Sequence, residues 1–440
     1  MEKTSEKKGG LMSVNVPANN TSVHMPPIGD DRMTSGKPIR SVFLVRHGIR
    51  SPKDSDTALG QWSTRAWPTW PGKPGDLTER GKELIRAQWS ALKPFLVRNG
   101  LVPENGLPKA GDYALIADED QRTRMSAIAL FDGLFPGCHI RPQYGSRYDL
   151  LFHPDSSMYR AMGQKALAEV QALLDPLDFD PVIGNALNLL QDITKCCRPS
   201  LCGALGGTSS CTLQGLPNRM SIDPRKPRLD IEGKWHIAST LAEIMLLEFA
   251  QWPEKEAGWG EVDARVLRQI IPVHNAVFNA THRAQSLAKA GGIHMLEYIH
   301  QTLLSEKSPP LTILVGHDTN IAYVSGLLDI HWSVPELGND PVIPGSFLTF
   351  ELWQKAGTGR EIRAGFHAPS LDFLRTSPAS LTSPVSIPVD KAVYEPDTFK
   401  KQVENVTALE EGLPVTGKLQ GKTDETADCR RDRSNRASRS

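Results

Sequence analysis

The stretch Ser41-Val42-Phe43-Leu44-Val45-Arg46-His47-Gly48-Ile49-Arg50-Ser51-Pro52 joins a short apolar run to two arginines and a histidine. The run "SVFLV" reads as a strand buried in a core. Arginine is rarely buried without a partner, and two guanidinium groups beside an imidazole suppress its protonation. An anion is needed to balance them. Strand ends in α/β sheets open onto crevices where ligands bind, and the planar forks of Arg46 and Arg50 match phosphate oxygens. Between them, His47 can attack phosphorus through a neutral ring nitrogen while the arginines neutralise the non-bridging oxygens. Gly48 would leave room for close approach, and Pro52 would stiffen the exit loop. Taken alone, the stretch also fits a basic loop salt-bridged to the surface.

Two further segments follow the same plan. "VGHDTN", Val315 to Asn320, ends the apolar strand "LTILVG" (311–316). His317 would be a second phosphate donor, and Asp318 could deliver a proton to a leaving oxygen. A helix starting at Thr319 or Asn320 would add backbone N–H groups. The competing reading makes Asp318 a plain helix cap. "ADEDQRTRMS" (117–126) ends the strand "YALIA" (113–117). One of its arginines could complete a phosphate clamp, held in place by Asp118 or Asp120. The alternative is pairing along a helix face, Asp118–Arg122 or Asp120–Arg124. An aspartic acid must carry a proton when it acts as an acid, which points to an acidic optimum.

Strand and helix alternate around these segments. Residues 77–100 place Leu84, Ile85, Trp89, Leu92, Phe95 and Leu96 at helical spacing and stop near Gly100. Residues 120–135 read as helix, and "SFLTFELW" (346–353) and "EIRAGFH" (361–367) as strands. This order argues for an α/β sheet. Residues 156–175 and 232–251 are helical by spacing, with no strand expected between them. The expected organisation is an α/β core over 38–149 and 266–405, a helical domain inserted at 150–265, and disordered ends at 1–37 and 406–440. The last of these, with five arginines in its final twenty residues, reads as a solvated tail.

Fifty basic residues balance fifty acidic ones in the 440-residue chain. Nothing global attracts it to nucleic acid or a membrane, so anion binding must come from local clusters. No run approaches a membrane span, and the first twenty residues lack the apolar core of a secretion signal. Four of six cysteines lie in "CCRPSLCGALGGTSSC" (196–211). The spacing fits no common zinc finger and encloses no histidine. A disulfide in the Gly/Ser loop is expected instead, Cys202–Cys211 first, which favours an oxidising compartment.

Taken together, the segments resemble the histidine acid phosphatases, the large-subunit branch of the histidine phosphatase superfamily. The likeness is to the bacterial periplasmic phytase and acid phosphatase group. "RHGIRSP" matches the RHGxRxP signature and "GHDTN" the HD motif. "AWPTWP" (66–71), "LTERG" (77–81), "ADEDQRTR" (117–124), "AEIMLLE" (242–248), "GWG" (258–260) and "HNA" (274–276) follow in family order. The resemblance implies an α/β fold, with a mostly parallel central sheet flanked by helices and a smaller inserted helical domain. It implies His47 as a phosphohistidine nucleophile, Arg46, Arg50, Arg122 and His317 as phosphate ligands, and Asp318 as proton donor. Glu243 falls where phytases of this group place a glutamate near the substrate; a carboxylate on a helix face is the alternative. Lys53 and Thr319 are further candidate substrate contacts. The Cys202–Cys211 spacing, followed by "LQGLP", fits a family disulfide.

The resemblance implies no cofactor and no metal ion. The implied partners are small-molecule phosphate esters met by a monomer, with no nucleic acid and no membrane. It implies a periplasmic or secreted location, whereas the absence of a visible leader implies the cytoplasm if the start is as written. Phytate, glucose 1-phosphate and nonspecific esters all need the same six residues, whereas phosphomutases of the superfamily are usually far shorter and lack the inserted helical domain. A non-catalytic anion binder would have lost His47 or Asp318, and both are present.

Overall fold

Strand β1 (Gly36–Arg46) is longer than its apolar run and ends at the first arginine of the motif. The computed structural model describes residues 36–408. It leaves out 106–107, 110, 139, 146–149, 207–210, 223–228, 256, 335–336, 376–384, 388 and 391–392. The ends expected to be disordered lie outside the described residues with two corrections. Gly36 and Lys37 belong to β1, and Val406 and Thr407 to the last helix.

Two helices, α1 (Asp56–Trp62) and α2 (Glu79–Arg98), follow β1. The Thr78 hydroxyl caps α2 by accepting from Gly81 N. Strand β2 (Tyr113–Ala117), α3 (Gln121–Leu134) and the short β3 (Gln143–Tyr144) come next. The middle of the chain holds α4 (Ser156–Leu174), α5 (Pro181–Thr194), α6 (Pro199–Leu205), strands β4 (Asn218–Ile222) and β5 (Leu229–Gly233), then α7 (Lys234–Gln251). Helices α8 (Ala264–His282) and α9 (Gln285–Leu304) lead back to strand β6 (Leu311–Gly316) and α10 (Asp318–Leu328). The small pair β7 (Ser333–Val334) and β8 (Gly338–Asn339) precedes β9 (Phe347–Lys355) and β10 (Arg360–Ala368). Helix α11 (Leu371–Arg375), β11 (Val385–Ile387), β12 (Val393–Tyr394) and α12 (Pro396–Thr407) complete the described chain.

The fold is α/β. Its main sheet runs β11-β10-β9-β1-β6-β2-β3, with β12 also on β10. Strands β1, β6, β2 and β3 pair in parallel, and β9 to β12 add antiparallel partners at one side. Alternation along β1 builds two cores. Phe43 and Val45 face Trp89, Leu92, Leu96, Leu130 and Phe131 of α2 and α3. Val42 and Leu44 face the opposite way, into a contiguous core that reaches Leu187 and Leu190 of α5 and Leu241 of α7. The inserted helices therefore share one core with the sheet. Among the described residues no helix is long and apolar enough to cross a membrane.

The expectation of no strand between the two middle helices is corrected by the β4–β5 hairpin. Its strands are five residues each and mix polar with apolar positions, too short for a clear period of two. It packs on α4, where Ile222 lies beside Gly163. Trp67 and Trp70 of "AWPTWP" form ring pairs with Trp259 of "GWG" at 4.8 Å and with Trp252, at the end of α7, at 4.6 Å. These contacts tie the loop after β1 to the helical layer. Cys202 is bonded to Cys211, and the neighbours Cys196 and Cys197 are bonded to each other.

One buried carboxyl in α7 makes the helical layer pH-sensitive. Glu248 accepts a hydrogen bond from Gly258 N at 2.8 Å through Oε2, while Oε1 has no partner among the described residues. Burial raises its pKa from 4.5 to about 7. The folded state therefore holds this proton more tightly than the unfolded chain. Its contribution to stability is greatest at acid pH and falls as pH climbs from the unfolded value to the folded one. The shift corresponds to about 3 kcal/mol. Glu248→Gln has no proton to lose, so thermal melts at about pH 5 and about pH 8 should differ less than in the parent. Equal pH dependence in the two proteins would contradict this account.

Candidate active site

The site forms where three parallel strands end together. Register pairs Arg46 of β1 with Gly316 of β6, and Ala117 of β2 with Val315 of β6. The loops that follow, Arg46–Arg50, Asp118–Arg122 and His317–Asn320, are thereby brought to one edge of the sheet, as parallel topology dictates. His47 N donates to Gly316 O and Asp118 N to Val315 O, which continues the strand hydrogen bonding into the loops.

Arg46 and Arg50 are almost wholly buried. Arg46 Nη1 donates to Val342 O, and its Nη2 lies 2.5 Å from Glu243 Oε1 and 2.8 Å from Asp318 Oδ2. Arg50 Nη2 donates to both Glu243 oxygens at 2.9 Å. Arg122 Nη2 lies 2.6 Å from Asp120 Oδ2 and 3.4 Å from His317 Nδ1. The Nε atoms of all three arginines are buried with no acceptor among the described residues. A tetrahedral oxyanion is a group that can satisfy several such donors at once.

His47 lies inside this cluster, its ring 5.6 Å from that of His317 and edge-on to it. Its Nδ1 is 2.8 Å from Gly48 O. A carbonyl only accepts, so Nδ1 carries the hydrogen and Nε2 the lone pair. Burial lowers the His47 pKa well below the ordinary value, and Arg122, Arg46, His317 and Arg50 lower it further. The ring is thus held neutral even in acid.

Asp318 opens α10 and is not its cap. His317 occupies the cap position, and its N–H donates to Asn320 Oδ1 at 2.9 Å. The Asp318 carboxylate accepts from Thr319 N at 2.8 Å through Oδ1 and turns Oδ2 to Arg46. Burial favours its neutral form, but Arg46, Lys53 and Arg50 outweigh burial and hold it below the usual carboxylate range. Glu243 is held low in the same way by Arg50 and Arg46. It is therefore a buried counter-ion reaching across from α7, not an open helix-face carboxylate.

The alternative of helix-face pairs, Asp118–Arg122 or Asp120–Arg124, gives way to other partners. Asp120 orients Arg122, and Arg124 stacks on Tyr144. Asp118 accepts from His317 Nε2 at 2.7 Å, and His153 Nε2 lies 2.9 Å from its other oxygen. His153 has no signature of its own in the sequence. Asp118, Asp120 and His317 lie close enough to hold a cation, but each carboxylate is already paired with a basic side chain of the protein. The reading of Gly48 also changes. A Cβ there would lie 2.9 Å from both Gly81 O and Ile85 Cγ1, so the glycine serves packing against α2.

A cavity of about 540 Å³ opens beside the cluster, lined by Arg50, Lys53, Glu243, Asp318 and Thr319 among others. Lys53 is exposed at its rim. The far wall carries His274, Phe278 and His282 of α8, stacked ring on ring, with Tyr323 of α10 beside His282. Sequence spacing puts 274, 278 and 282 on one face of a helix, the signal by which this wall could have been found.

The chain is 31% identical to phytase AppA of Escherichia coli strain K12 over 381 residues, 79% of this chain and 84% of that protein. The chain belongs to the histidine acid phosphatase family. It is a phosphoric monoester hydrolase. A glucose-1-phosphatase of Salmonella typhimurium is 23% identical over 85% of this chain and 87% of its own length. Among solved structures, the apo form of Hafnia alvei phytase superposes with a TM-score of 0.75 at 26% identity. It covers 85% of this chain and 98% of its own. The Citrobacter braakii phytase gives 0.72 at 26% identity over 84% and 98%. No protein-family model matches the chain.

The state of His47 in this histidine acid phosphatase is directly checkable. NMR titration of the unliganded protein should show its ring neutral and Nδ1-protonated through the acid range where an ordinary imidazole charges, near 6.5. A ring that titrates normally would mean that the arginine field does not reach it.

Proposed function

We propose that this acid phosphatase cleaves phosphomonoesters of polyols, inositol phosphates foremost, through a phosphohistidine at His47. The observation that carries the reading is the set of unsatisfied buried Nε–H groups of Arg46, Arg50 and Arg122 around a neutral imidazole. His47 Nε2 attacks phosphorus, and the ester P–O bond breaks. Arg46, Arg50, Arg122 and His317 bind the non-bridging oxygens. Asp318 gives its proton to the leaving oxygen. The Asp318 carboxylate then takes a proton from the water that attacks the phosphohistidine, and phosphate leaves.

The low pKa of Asp318 in the empty site fits this role once the substrate is counted. A phosphate dianion neutralises Arg46 and Arg50 and repels the carboxylate, so its proton affinity rises when the phosphoryl group binds. Lys53 and Thr319 would meet the rest of the substrate at the cavity rim. An oxidising compartment such as the periplasm belongs to the reading and is supported by the two disulfides.

Inositol phosphates are preferred because the relative at 31% identity is a phytase. One observation favours the second reading, a sugar-phosphate phosphatase. Among the described residues of the cavity wall, Arg50 and Lys53 are the only arginine and lysine, while rings line the other side. Rates on phytate, glucose 1-phosphate and p-nitrophenyl phosphate across acid pH separate the two. A large excess of kcat/KM for glucose 1-phosphate over phytate would replace the first reading by the second.

Asp318→Asn tests the proton donor. Asparagine keeps the size but cannot donate a proton to an alkoxide. Turnover of alkyl phosphates should fall roughly 10²–10⁴-fold. p-Nitrophenyl phosphate, whose leaving group needs no proton, should lose much less. Competitive inhibition by inorganic phosphate should persist. Equal losses on both substrates would remove Asp318 from the role of general acid.

A further inference from the structure

Asp118 is buried, and each of its two oxygens meets a different imidazole. Oδ2 accepts from His317 Nε2 at 2.7 Å. Oδ1 lies 2.9 Å from His153 Nε2 in a close ion pair bent away from the N–H axis. The segment that carries His153 is fastened to the same helix start. Asn320 Nδ2 donates to Phe152 O at 2.9 Å, and Asn320 Oδ1 accepts from His317 N at 2.9 Å. A closed circuit results, running from His317 through Asp118 to His153, along the chain to Phe152, and through Asn320 back to His317. The backbone of His317 is gripped on one side of this circuit and its ring on the other.

We propose that His153 is a positioning residue for the phosphatase reaction: as an imidazolium it pins Asp118, and Asp118 fixes the ring of His317 with Nδ1 toward the phosphate. The inference rests on the role given to His317 under the proposed mechanism. Second partners of this kind typically matter by one to two orders of magnitude where they orient a reacting or binding group. Asp118 favours the charged form of His153, aided by Glu119 and Asp120, so the imidazole is cationic at the acid pH where the enzyme works. The hydrogen bond from His317 and the close charge of His153 hold Asp118 ionised in spite of its burial. The other charged groups facing this circuit are Arg122, on α3, and Asp318, on α10. His47, Arg46 and Arg50 face it from the loop after β1. They surround the parent and the variants alike.

Removing the His153 cation leaves a buried carboxylate with one partner instead of two. Its proton affinity rises, so it protonates earlier on acidification and releases the His317 ring. In His153→Leu the kcat should fall roughly 10–100-fold. The acid limb of the pH–rate profile should move upward. KM should change less than kcat. His153→Gln keeps an N–H for Asp118 but no charge. It should recover most of kcat and show a limb between those of parent and leucine variant.

The His317 ring is followed in parallel by NMR titration of the unliganded proteins. Loss of the neighbouring cation should move its titration to higher pH in both variants. This readout needs no turnover, so it separates failure of the inference from failure of the proposed mechanism. A folded His153→Leu with the parent's kcat, acid limb and His317 titration overturns the proposal. So does a glutamine variant as impaired as the leucine one. If the leucine variant does not fold, an unshifted limb and titration in His153→Gln overturn the proposal in its place.

Discussion

Three guanidinium groups from two loops, Arg46, Arg50 and Arg122, are crowded together with little access to water. Like charges at that density, taken out of solvent, are unstable unless paired. Glu243, Asp318 and Asp120 supply the pairing, each from a different part of the chain. Glu243 matters most for the architecture. It comes from α7, in the segment inserted between the two halves of the sheet, and both its oxygens meet arginines that begin at the end of β1. One ion-pair cluster thus joins the helical layer to the strand ends and sets the cavity between them.

The same cluster sets the protonation states on which the chemistry depends. Burial together with its positive field keeps His47 neutral, and the field holds Asp318 ionised. The Glu243 and Asp318 carboxylates also occupy N–H groups that a phosphate would use. An incoming dianion must displace or share these contacts, which tempers the affinity of the clamp for its own product. Asp118 lies outside the arginine cluster and is governed instead by two imidazoles. The site therefore contains two electrostatic subsystems, one made of guanidinium and carboxylate groups and one of imidazoles around a single aspartate.

Much of this is legible in the sequence. The strands 113–117 and 311–316 and the helices around 77–100, 120–135, 156–175 and 232–251 stand within a few residues of their observed limits. Each has an apolar period or an unbroken apolar run, a property of neighbours in sequence. The β4–β5 hairpin has neither, and its strands exist because they pair with each other and rest on α4. Helices α5, α8 and α9 are not among the expected elements, although they form much of the core around α7. At the ends, Gly36 and Lys37 are strand because β9 pairs with them, although nothing in their side chains asks for it.

By itself the sequence determined the chemistry that could occur: two arginines and a histidine after one strand, a histidine and an aspartate after another, an acidic and basic loop after a third. Those groupings are local, so a chain written in one dimension carries them intact. Tertiary structure decided what each group does. Register between β1 and β6 set Arg46 beside Gly316, and parallel pairing with β2 brought the third loop to the same edge. Packing of α7 gave Glu243 to the arginines, and the turn before α4 gave His153 to Asp118. Partners about two hundred positions apart for Glu243, and some thirty-five for His153, leave no periodicity to read. Their meeting depends on how buried surfaces fit, and charge on a buried side chain acquires its meaning only from the neighbour that the fold supplies.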